Sequence, residues 1–138
     1  MPKFTPTTWS VVVTTDRAYY ERMRVKIAPI GADLPFPPAS SERRFQLTGK
    51  QLRIGRRNTA RGLAPEIDLS GPPPDPGISR LHALLLPIPG GSWAVIDPGS
   101  ANGTLVNGRE ITSGDMVPLR DGDRINLGAW TVITVHRE

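Results

Sequence analysis

The sequence predicts an all-β fold, an antiparallel β-sandwich of short strands, and three observations carry this prediction. Apolar or alternating segments recur about every ten residues with turn-forming residues between them. Glycine and proline number 14 and 15 in 138 residues, which suits many turns better than a helical bundle. No long amphipathic helix pattern appears. Ten or so short strands packed as two sheets are therefore expected.

The first strand is the clearest element of the N-terminal third. The segment TTWSVVVTT at 7–15 is rich in β-branched residues, which favours extended backbone. Its alternation places Trp9, Val11 and Val13 on one face. We therefore predict a strand at about 9–14 with these side chains in the core.

The stretch 16–41 reads as an insertion between the first two strands. Within it, 16–28 is of ambiguous type, since Asp16 can cap a helical turn. Such a turn brings three large side chains near one another: Tyr19, Tyr20 and Met23. The rest, 29–41, holds several prolines and is predicted to be a loop that Phe36 attaches to the core.

From residue 43 the strand patterns become dense. RRFQL at 43–47 and QLRIG at 51–55 flank Thr48-Gly49-Lys50, which predicts a hairpin with a three-residue loop. PEIDLS at 65–70 predicts a short strand, and the proline-rich GPPPDPG at 71–77 predicts a loop.

The remaining strands alternate with strong turn signals. LHALLL at 81–86 and SWAVID at 92–97 form a second predicted hairpin across PIPGG. TLV at 104–106 runs into Asn107-Gly108, a pair that tolerates the positive φ angles of a type I′ turn. Three further strands complete the motif-bearing core at about 43–137: MVPL at 116–119, DRINL at 123–127 and WTVITVHR at 130–137.

Length and composition limit the possible functions. A chain of 138 residues fits one domain, 1–138, and the absence of cysteine excludes disulfides and thiolate metal sites. No apolar run approaches the roughly 18 residues that cross a bilayer, and the start MPKFTPTTW lacks a signal-peptide layout. We expect a cytoplasmic protein with no membrane role. Whether 1–138 is a whole protein or one domain of a larger one stays open.

Charge is divided unevenly along the chain. Residues 1–61 carry 12 Lys or Arg against 4 Asp or Glu, whereas residues 62–138 carry 5 against 9. Arginine supplies 14 of the 17 basic residues, and its planar guanidinium suits bidentate contact with phosphate. Genomic composition bias explains the arginine excess equally well.

Signatures of catalysis are absent from the sequence. There is no nucleophile elbow, no phosphate-binding P-loop, no dinucleotide-binding glycine motif and no zinc-protease motif. Only His82 and His136 are available for a histidine-based metal or proton-relay site. We therefore expect no enzymatic activity, no catalytic residues, no metal and no cofactor.

A set of polar residues falls on turns rather than on strand faces. In chain order these motifs are Gly55-Arg56, Ser79-Arg80-Leu81-His82, Asn102-Gly103-Thr104 and Asn107-Gly108. Each is weak evidence alone, but the combination on a β-sandwich background resembles the forkhead-associated (FHA) domain. The resemblance covers nearly the whole chain.

The resemblance implies an eleven-stranded sandwich of the FHA/SMAD-like type that binds phosphothreonine peptides through loops at one end. It implies that Arg56, Ser79 and Arg80 bind the phosphate and that Asn102 binds the peptide backbone. Charge-assisted hydrogen bonds from a guanidinium suit this role. The residues implied to support the loops are Gly55, His82, Gly103, Thr104, Asn107 and Gly108.

Partners follow from the same resemblance. It implies a phosphothreonine-containing partner protein or peptide, an upstream Ser/Thr protein kinase and, for many bacterial members, a larger protein or operon of kinase and phosphatase functions. The arginine-rich, cysteine-free composition is compatible with a bacterial source. Two features depart from the family pattern. The interval from Arg56 to Ser79 is long, and Ala101 stands where threonine often precedes Asn-Gly. The long interval is expected to shape which flanking residues are accepted.

Two other function classes stay open from the sequence. Nucleic acid can bind the basic N-terminal half, although no aromatic stacking motif accompanies it. A phospho-independent scaffold can use the same loops to bind an unmodified partner. The identity of the partner, the flanking preference, the role of 16–41 and the oligomeric state are not fixed by the sequence.

Overall fold

The computed structural model describes residues 7–26, 36–37, 42–58, 60, 62, 64–70 and 74–138. Most of the loop predicted at 29–41 lies outside these ranges, as do residues 71–73 of the predicted loop at 71–77. Within them the chain forms these strands: β1 Trp9–Thr15, β2 Arg43–Gln46, β3 Leu52–Gly55, β4 Ile67–Asp68, β5 Leu81–Ile88, β6 Ser92–Ile96, β7 Thr104–Val106, β8 Arg109–Glu110, β9 Val117–Pro118, β10 Arg124–Leu127 and β11 Thr131–Arg137. The helix α1 spans Arg17–Lys26.

The strands form two sheets, which confirms the predicted β-sandwich. The six-stranded sheet has the order β2-β1-β11-β10-β7-β8, and the five-stranded sheet has the order β4-β3-β5-β6-β9. The two terminal strands β1 and β11 pair along their full length, from Trp9 opposite Arg137 to Thr15 opposite Thr131. This long pairing joins the two ends of the described chain.

The core lies between the inner faces of the sheets. As predicted, Trp9, Val11 and Val13 all point into it. The alternation that places them there continues on the other strands, where Ile54 and Leu85 are fully buried. Burial of each such apolar side chain stabilises the fold by about 1.5 to 3 kcal/mol. Together these contributions offset the conformational entropy that is lost when the short strands become ordered.

Helix α1 resolves the ambiguous segment after β1. The Asp16 carboxylate accepts a hydrogen bond from the Tyr19 N–H at 3.1 Å, which caps the first turn as the sequence suggests. Tyr19 and Met23, four residues apart, pack on Leu105, whereas Tyr20 packs in a separate cluster. The predicted grouping of these side chains is therefore split between two contacts.

Phe36 attaches its segment to this helix rather than to the main core. Its ring lies edge-on to Tyr20, with ring centroids 5.1 Å apart. The half-buried Phe36 thereby joins the small cluster formed by Tyr20, Ala129 and Trp130. This cluster lies on the turn between β10 and β11.

The predicted hairpin at 43–55 is wrong. Strand β2 pairs with β1, where Val11 lies opposite Phe45, whereas β3 belongs to the other sheet and pairs with β5. The turn at Gly49 therefore crosses between sheets instead of joining neighbours. A hairpin within one sheet and a connection between two sheets can have the same turn residues and strand lengths. Only the packing of the two apolar faces decides which of them forms here.

One strand pair also departs from the antiparallel prediction. The short β4 runs parallel to β3, with Ile54 opposite Ile67. The pairs β5–β6 and β7–β8 form the hairpins that the sequence predicts. Asn107 and Gly108 take φ angles of 51° and 84°, as a type I′ turn requires.

None of the described residues forms a helix of the length and apolar character that crossing a membrane requires.

Candidate functional site

Three loops at one end of the sandwich meet through direct contacts. Loop 1 follows β3 at 56–58, loop 2 precedes β5 at 74–80, and loop 3 joins β6 to β7 at 97–103. The Arg56 N–H donates to the Arg80 carbonyl at 3.1 Å, which ties loop 1 to loop 2. The Ala101 N–H donates to Ser79 Oγ at 3.0 Å, which ties loop 3 to loop 2. The residues predicted to bind phosphate are thus brought together from separate parts of the chain.

Gly55 makes the approach of loop 1 to loop 2 possible. A Cβ atom at this position would overlap the Arg80 carbonyl group. Gly55 is buried and pairs with Leu81 across a register shift in the β3–β5 ladder. Glycine here therefore sets the distance between the Arg56 and Arg80 backbones.

Arg56 and Arg57 differ in how their side chains are engaged. Arg57 forms an ion pair with Asp68 at 3.1 Å, and its N–H donates to Ser70 Oγ at 2.6 Å. The exposed side chain of Arg56 has neither an ion pair nor a hydrogen bond to any residue that the structure describes. A guanidinium held at a loop end without an internal partner can donate to an anion.

Ser79 and Arg80 present further donors beside Arg56. Ser79 Oγ already accepts from Ala101, so its O–H is left to donate, with no acceptor among the described residues. Arg80 is exposed, and its side chain likewise forms no ion pair within the described ranges. Two guanidinium groups and one hydroxyl thus flank the junction of loops 1 and 2.

His82 is fully buried and forms hydrogen bonds to both loop 2 and loop 3. Its Nδ1 accepts from the Ser79 N–H at 3.0 Å, and its Nε2 lies 2.8 Å from the Gly103 carbonyl oxygen. This arrangement requires the neutral ring, protonated at Nε2. Burial lowers the pKa of His82 below its ordinary value, which agrees with a neutral imidazole.

The buried neutral His82 predicts a pH-dependent stability. Because the folded-state pKa is lowered, the unfolded chain binds a proton more readily below about pH 6.5, so this contribution is present above that pH and lost as pH falls. The free energy of unfolding, measured by urea denaturation, should fall between pH 7.5 and 5.5 more in the wild type than in His82→Gln.

His136→Gln is the matched control for this experiment, and it should keep the wild-type pH dependence. Equal pH dependence in wild type and His82→Gln would contradict the assignment. If His82→Gln does not fold, the ring shifts of wild-type His82 measured by NMR give the same answer. They should show that the pKa of the His82 ring lies below that of an ordinary histidine.

Asn102 is oriented by loop 2. Its amide Nδ2 donates to the Gly77 carbonyl at 3.0 Å, and the residue is half-buried. The side chain is thus attached to the segment that leads into Ser79, and an amide group has both donor and acceptor atoms.

Loop 3 is built on the buried carboxylate of Asp97. It accepts from the N–H groups of Gly99 and Ser100 and from the hydroxyls of Ser100 and Thr104, at 2.6–2.8 Å. The Ser100 hydroxyl in turn accepts from the Gly103 N–H. Burial alone would raise the pKa of Asp97, but these hydrogen bonds hold it below its ordinary value. The loop carrying Asn102 is therefore rigidly supported.

Loop 2 is built on a second buried carboxylate, Asp75. It accepts from the Gly77 N–H and, across the sandwich, from the N–H groups of Ala129 and Trp130 and the Thr131 hydroxyl. These bonds attach the segment before Ser79 to the β10–β11 turn. The Gly77 carbonyl that holds Asn102 is fixed in this way.

Sequence reasoning missed both carboxylates. A signal for them exists, because each opens an Asp-Pro-Gly tripeptide, at 75–77 and at 97–99. In each case the carboxylate accepts a hydrogen bond from the glycine N–H two residues further along the chain, which is the Asx-turn geometry that aspartate favours. The repeated tripeptide therefore marks the two loops that carry site residues.

Asn107 and Gly108 are not brought to the site. They lie at the far end of β7 from Thr104, where Asn107 binds the Asp123 carboxylate and the Arg124 N–H. The described residues likewise hold no group of three acidic or histidine side chains arranged for a metal ion. The site is thus a set of hydrogen-bond donors on the rim of a protein scaffold.

Comparison with known proteins gives a family match to the "FHA domain" over residues 52–128, more than half of the chain. FraH of the bacterium Nostoc sp. is 31% identical over 111 residues, which are 80% of this chain and 37% of FraH. The chain spans 9% to 50% of the length of the curated relatives that it matches.

Two solved structures share the fold and more than a quarter of the sequence. One comes from a structural and functional analysis of phosphothreonine-dependent FHA domain interactions. It is 28% identical with a TM-score of 0.57, over 92% of this chain and 95% of that one. The other is the FhaA FHA domain complexed with the intracellular domain of Rv3910. It is 27% identical with a TM-score of 0.57, over 91% and 99% of the two chains.

Proposed function

The chain belongs to the FHA domain family, and from that premise we propose that it binds phosphothreonine in a partner protein without catalysing a reaction. The observation that carries the proposal is the convergence of Arg56, Ser79 and Arg80 at the junction of two loops. These side chains offer donors to a phosphate on the rim of the sandwich. A phosphate carries close to two negative charges at neutral pH and accepts several such bonds.

The position of each group supports the role that we propose for it. Arg56 donates charge-assisted hydrogen bonds to the phosphate, with Ser79 and Arg80 beside it. Asn102, fixed by Gly77, reads the peptide backbone next to the phosphorylated residue. The residues that hold these groups in place are Gly55, His82, Gly103 and Thr104. At Ala101, which has no side-chain hydroxyl, loop 3 contacts Ser79 through the backbone N–H.

Affinity is expected near the micromolar level. Three or four charge-assisted hydrogen bonds contribute about 1.5 to 3 kcal/mol each, against several kcal/mol for loss of translational and rotational freedom. A dissociation constant near 1 μM corresponds to about −8 kcal/mol. Such binding is reversible on the timescale of kinase signalling.

The proposal includes an upstream Ser/Thr kinase, because the threonine must be phosphorylated before the domain can bind it. Kinases consume ATP, which supports a cytoplasmic place of action. The solved FHA domain whose interactions are phosphothreonine-dependent supports the same ligand.

The test is binding of matched peptides measured by calorimetry. A library of phosphothreonine peptides with randomised flanks identifies one binder, which is then compared with its unphosphorylated form. We expect micromolar binding of the phosphorylated peptide and at least a hundredfold loss without the phosphate. Equal binding of both forms would overturn the proposal in favour of a phospho-independent scaffold.

Salt titration separates the proposal from nucleic-acid binding by the basic N-terminal half. Nonspecific affinity for a nucleic acid falls steeply with salt, in proportion to the number of phosphates contacted. A peptide with one phosphate should lose affinity only modestly between 50 and 200 mM salt. Tighter binding of an oligonucleotide, with a steep salt dependence, would contradict the proposed function.

A further inference from the structure

The outer face of the five-stranded sheet carries apolar side chains on three neighbouring strands, β5, β6 and β9. Leu85 and Val95 point into the core between the sheets, so the residues that alternate with them point outward. Where one face of an antiparallel sheet is solvated, its outward positions are ordinarily polar. Here they are apolar, and we call these residues the outer apolar face: Leu84, Leu86, Ala94, Ile96, Met116 and Pro118.

The strand register arranges the outer apolar face in two rows that run across the strands. One row contains Leu84, Ile96 and Met116, and the other contains Leu86, Ala94 and Pro118. Leu84, Leu86 and Ile96 are half-buried, and Met116 is 52% exposed. Because side chains opposite one another on neighbouring strands lie about 4.5 to 5.5 Å apart, each row is a continuous apolar surface.

The chain covers the outer face of its other sheet. Leu105 of β7 belongs to the six-stranded sheet and is buried against Tyr19 and Met23 of helix α1. The described residues leave two large apolar side chains exposed, Leu81 and Met116, and both lie on or beside strands of the five-stranded sheet. The outer apolar face is therefore the sheet surface that stays partly exposed in the single chain.

Ala94 indicates the shape of the outer apolar face. It is fully buried although it points outward, so the larger side chains around it must close over it. An amphipathic helix binds by laying its apolar side chains in a groove, and the centre of this face offers none. A second β-sheet, in contrast, packs face to face on a continuous apolar surface at about 10 Å. The shape therefore favours a sheet as the occupant.

The charges beside the outer apolar face are balanced. At one border Arg53, opposite Leu84 in the ladder, forms an ion pair with Glu66 at 2.9 Å. At the other border Asp115 and Arg120 flank the β9 segment in the sequence. Each border thus carries one positive and one negative side chain, so two copies of the face meet without net like-charge repulsion. A nucleic acid or an anionic membrane gains no net attraction here.

We propose that the outer apolar face binds the same face of a second copy of this chain, which gives a weak symmetric dimer. A twofold interface uses one patch on both subunits, and a flat, apolar patch with balanced charges is complementary to itself. Three strands and two rows span only about 14 Å by 14 Å, which is less than a standard interface of about 800 Å² per partner. The dimer should therefore dissociate with a constant of roughly 100 μM.

This inference does not depend on the proposed function. The residues proposed to contact the phosphopeptide are Arg56, Ser79, Arg80 and Asn102, and none of them belongs to the outer apolar face. A dimer of this kind carries two such sites. Loss of dimerisation therefore leaves phosphothreonine binding by each chain to be judged separately.

The test is sedimentation equilibrium of the full chain from about 10 μM to about 1 mM. The average mass should rise from that of the monomer toward twice that value across this range. Addition of about 1 M salt should not dissociate the dimer, because its contacts are apolar rather than ionic. A chain that stays monomeric at the highest concentration would overturn the proposal.

Two variants assign the dimer to the outer apolar face. Met116→Glu places the same charge on both copies at an exposed position, and Ile96→Asp does so at the centre of the first row. Each should weaken dimerisation at least tenfold. Gln46→Glu adds the same charge at an exposed position of the six-stranded sheet and should leave dimerisation unchanged. A dimer that persists in Met116→Glu and in a folded Ile96→Asp would show that another surface is used.

Two further measurements complete the test. Thermal unfolding followed by circular dichroism identifies the variants that fold, and Met116→Glu supports the conclusion if Ile96→Asp does not, because Met116 is exposed. Flotation with phosphatidylcholine vesicles tests a lipid surface as the occupant. Vesicle binding by a monomeric wild type, lost in Met116→Glu, would overturn the second-copy proposal in favour of a membrane.

Discussion

Replacing Arg56 with alanine should weaken phosphothreonine-peptide binding by about 2 to 4 kcal/mol, or roughly thirtyfold to a thousandfold, while leaving the fold intact. The loss is large because the phosphate loses a charged donor in a partly desolvated contact. The fold is spared because the side chain is exposed and the contact to Arg80 comes from the backbone. Calorimetry with wild-type peptide gives the binding change, and thermal unfolding gives the stability.

Arg57→Ala is the matched control for Arg56→Ala. It removes the same charge one residue away, but its guanidinium is engaged with Asp68. Binding should change by less than about 1 kcal/mol, because this guanidinium contacts Asp68 rather than the proposed phosphate site and an exposed ion pair contributes little to the fold. Arg56→Lys should give an intermediate loss, because an ammonium keeps the charge without the planar fork. A folded Arg56→Ala protein that binds like wild type would refute the site assignment.

Replacing Asp75 with alanine should lower the free energy of unfolding by about 3 to 5 kcal/mol, a large share of the stability of a domain this size. Its carboxylate accepts from three backbone N–H groups and one hydroxyl, all in the interior. Alanine leaves these buried donors without an acceptor, and each unmade bond has a desolvation cost. Urea denaturation at neutral pH measures the change.

A graded series keeps the Asp75 prediction testable if Asp75→Ala fails to fold. Thr131→Val removes a single donor and should lower stability by about 1 kcal/mol. Asp75→Asn keeps the shape but turns an NH₂ group toward donors, so its effect should fall between the two. A folded Asp75→Asn protein should also bind phosphopeptide more weakly, because Gly77 positions Asn102. Stability of Asp75→Ala within 1 kcal/mol of wild type would contradict the account.

The wrong hairpin prediction shows that a local sequence pattern identifies strands but does not determine how they pair. The segments 43–47 and 51–55 have the lengths, apolar spacing and glycine turn of a hairpin. In the fold β2 completes one sheet beside β1, and β3 lies in the other sheet beside β5. Strand existence depends on residues close in sequence, whereas strand pairing depends on which apolar faces cover one another.

The loop carboxylates of Asp75 and Asp97 show the same division between local sequence and long-range packing. The tripeptides at 75–77 and 97–99 predict tight turns from sequence alone. That Asp75 also binds the turn after β10, some 54 residues away, depends on how the sheets stack. A turn is a local property, but the burial that makes its carboxylate important is not.

The sequence by itself determined the β-sandwich, most of its strands, the family and the residues expected to bind phosphate. These depend on alternation, turn chemistry and motif order, all of which are local. Only the tertiary structure separated Arg56 from its engaged neighbour Arg57 and placed Asn107 and Gly108 away from the site. Such outcomes depend on contacts between residues far apart in the chain, and the packing of two sheets decides which of those contacts are made.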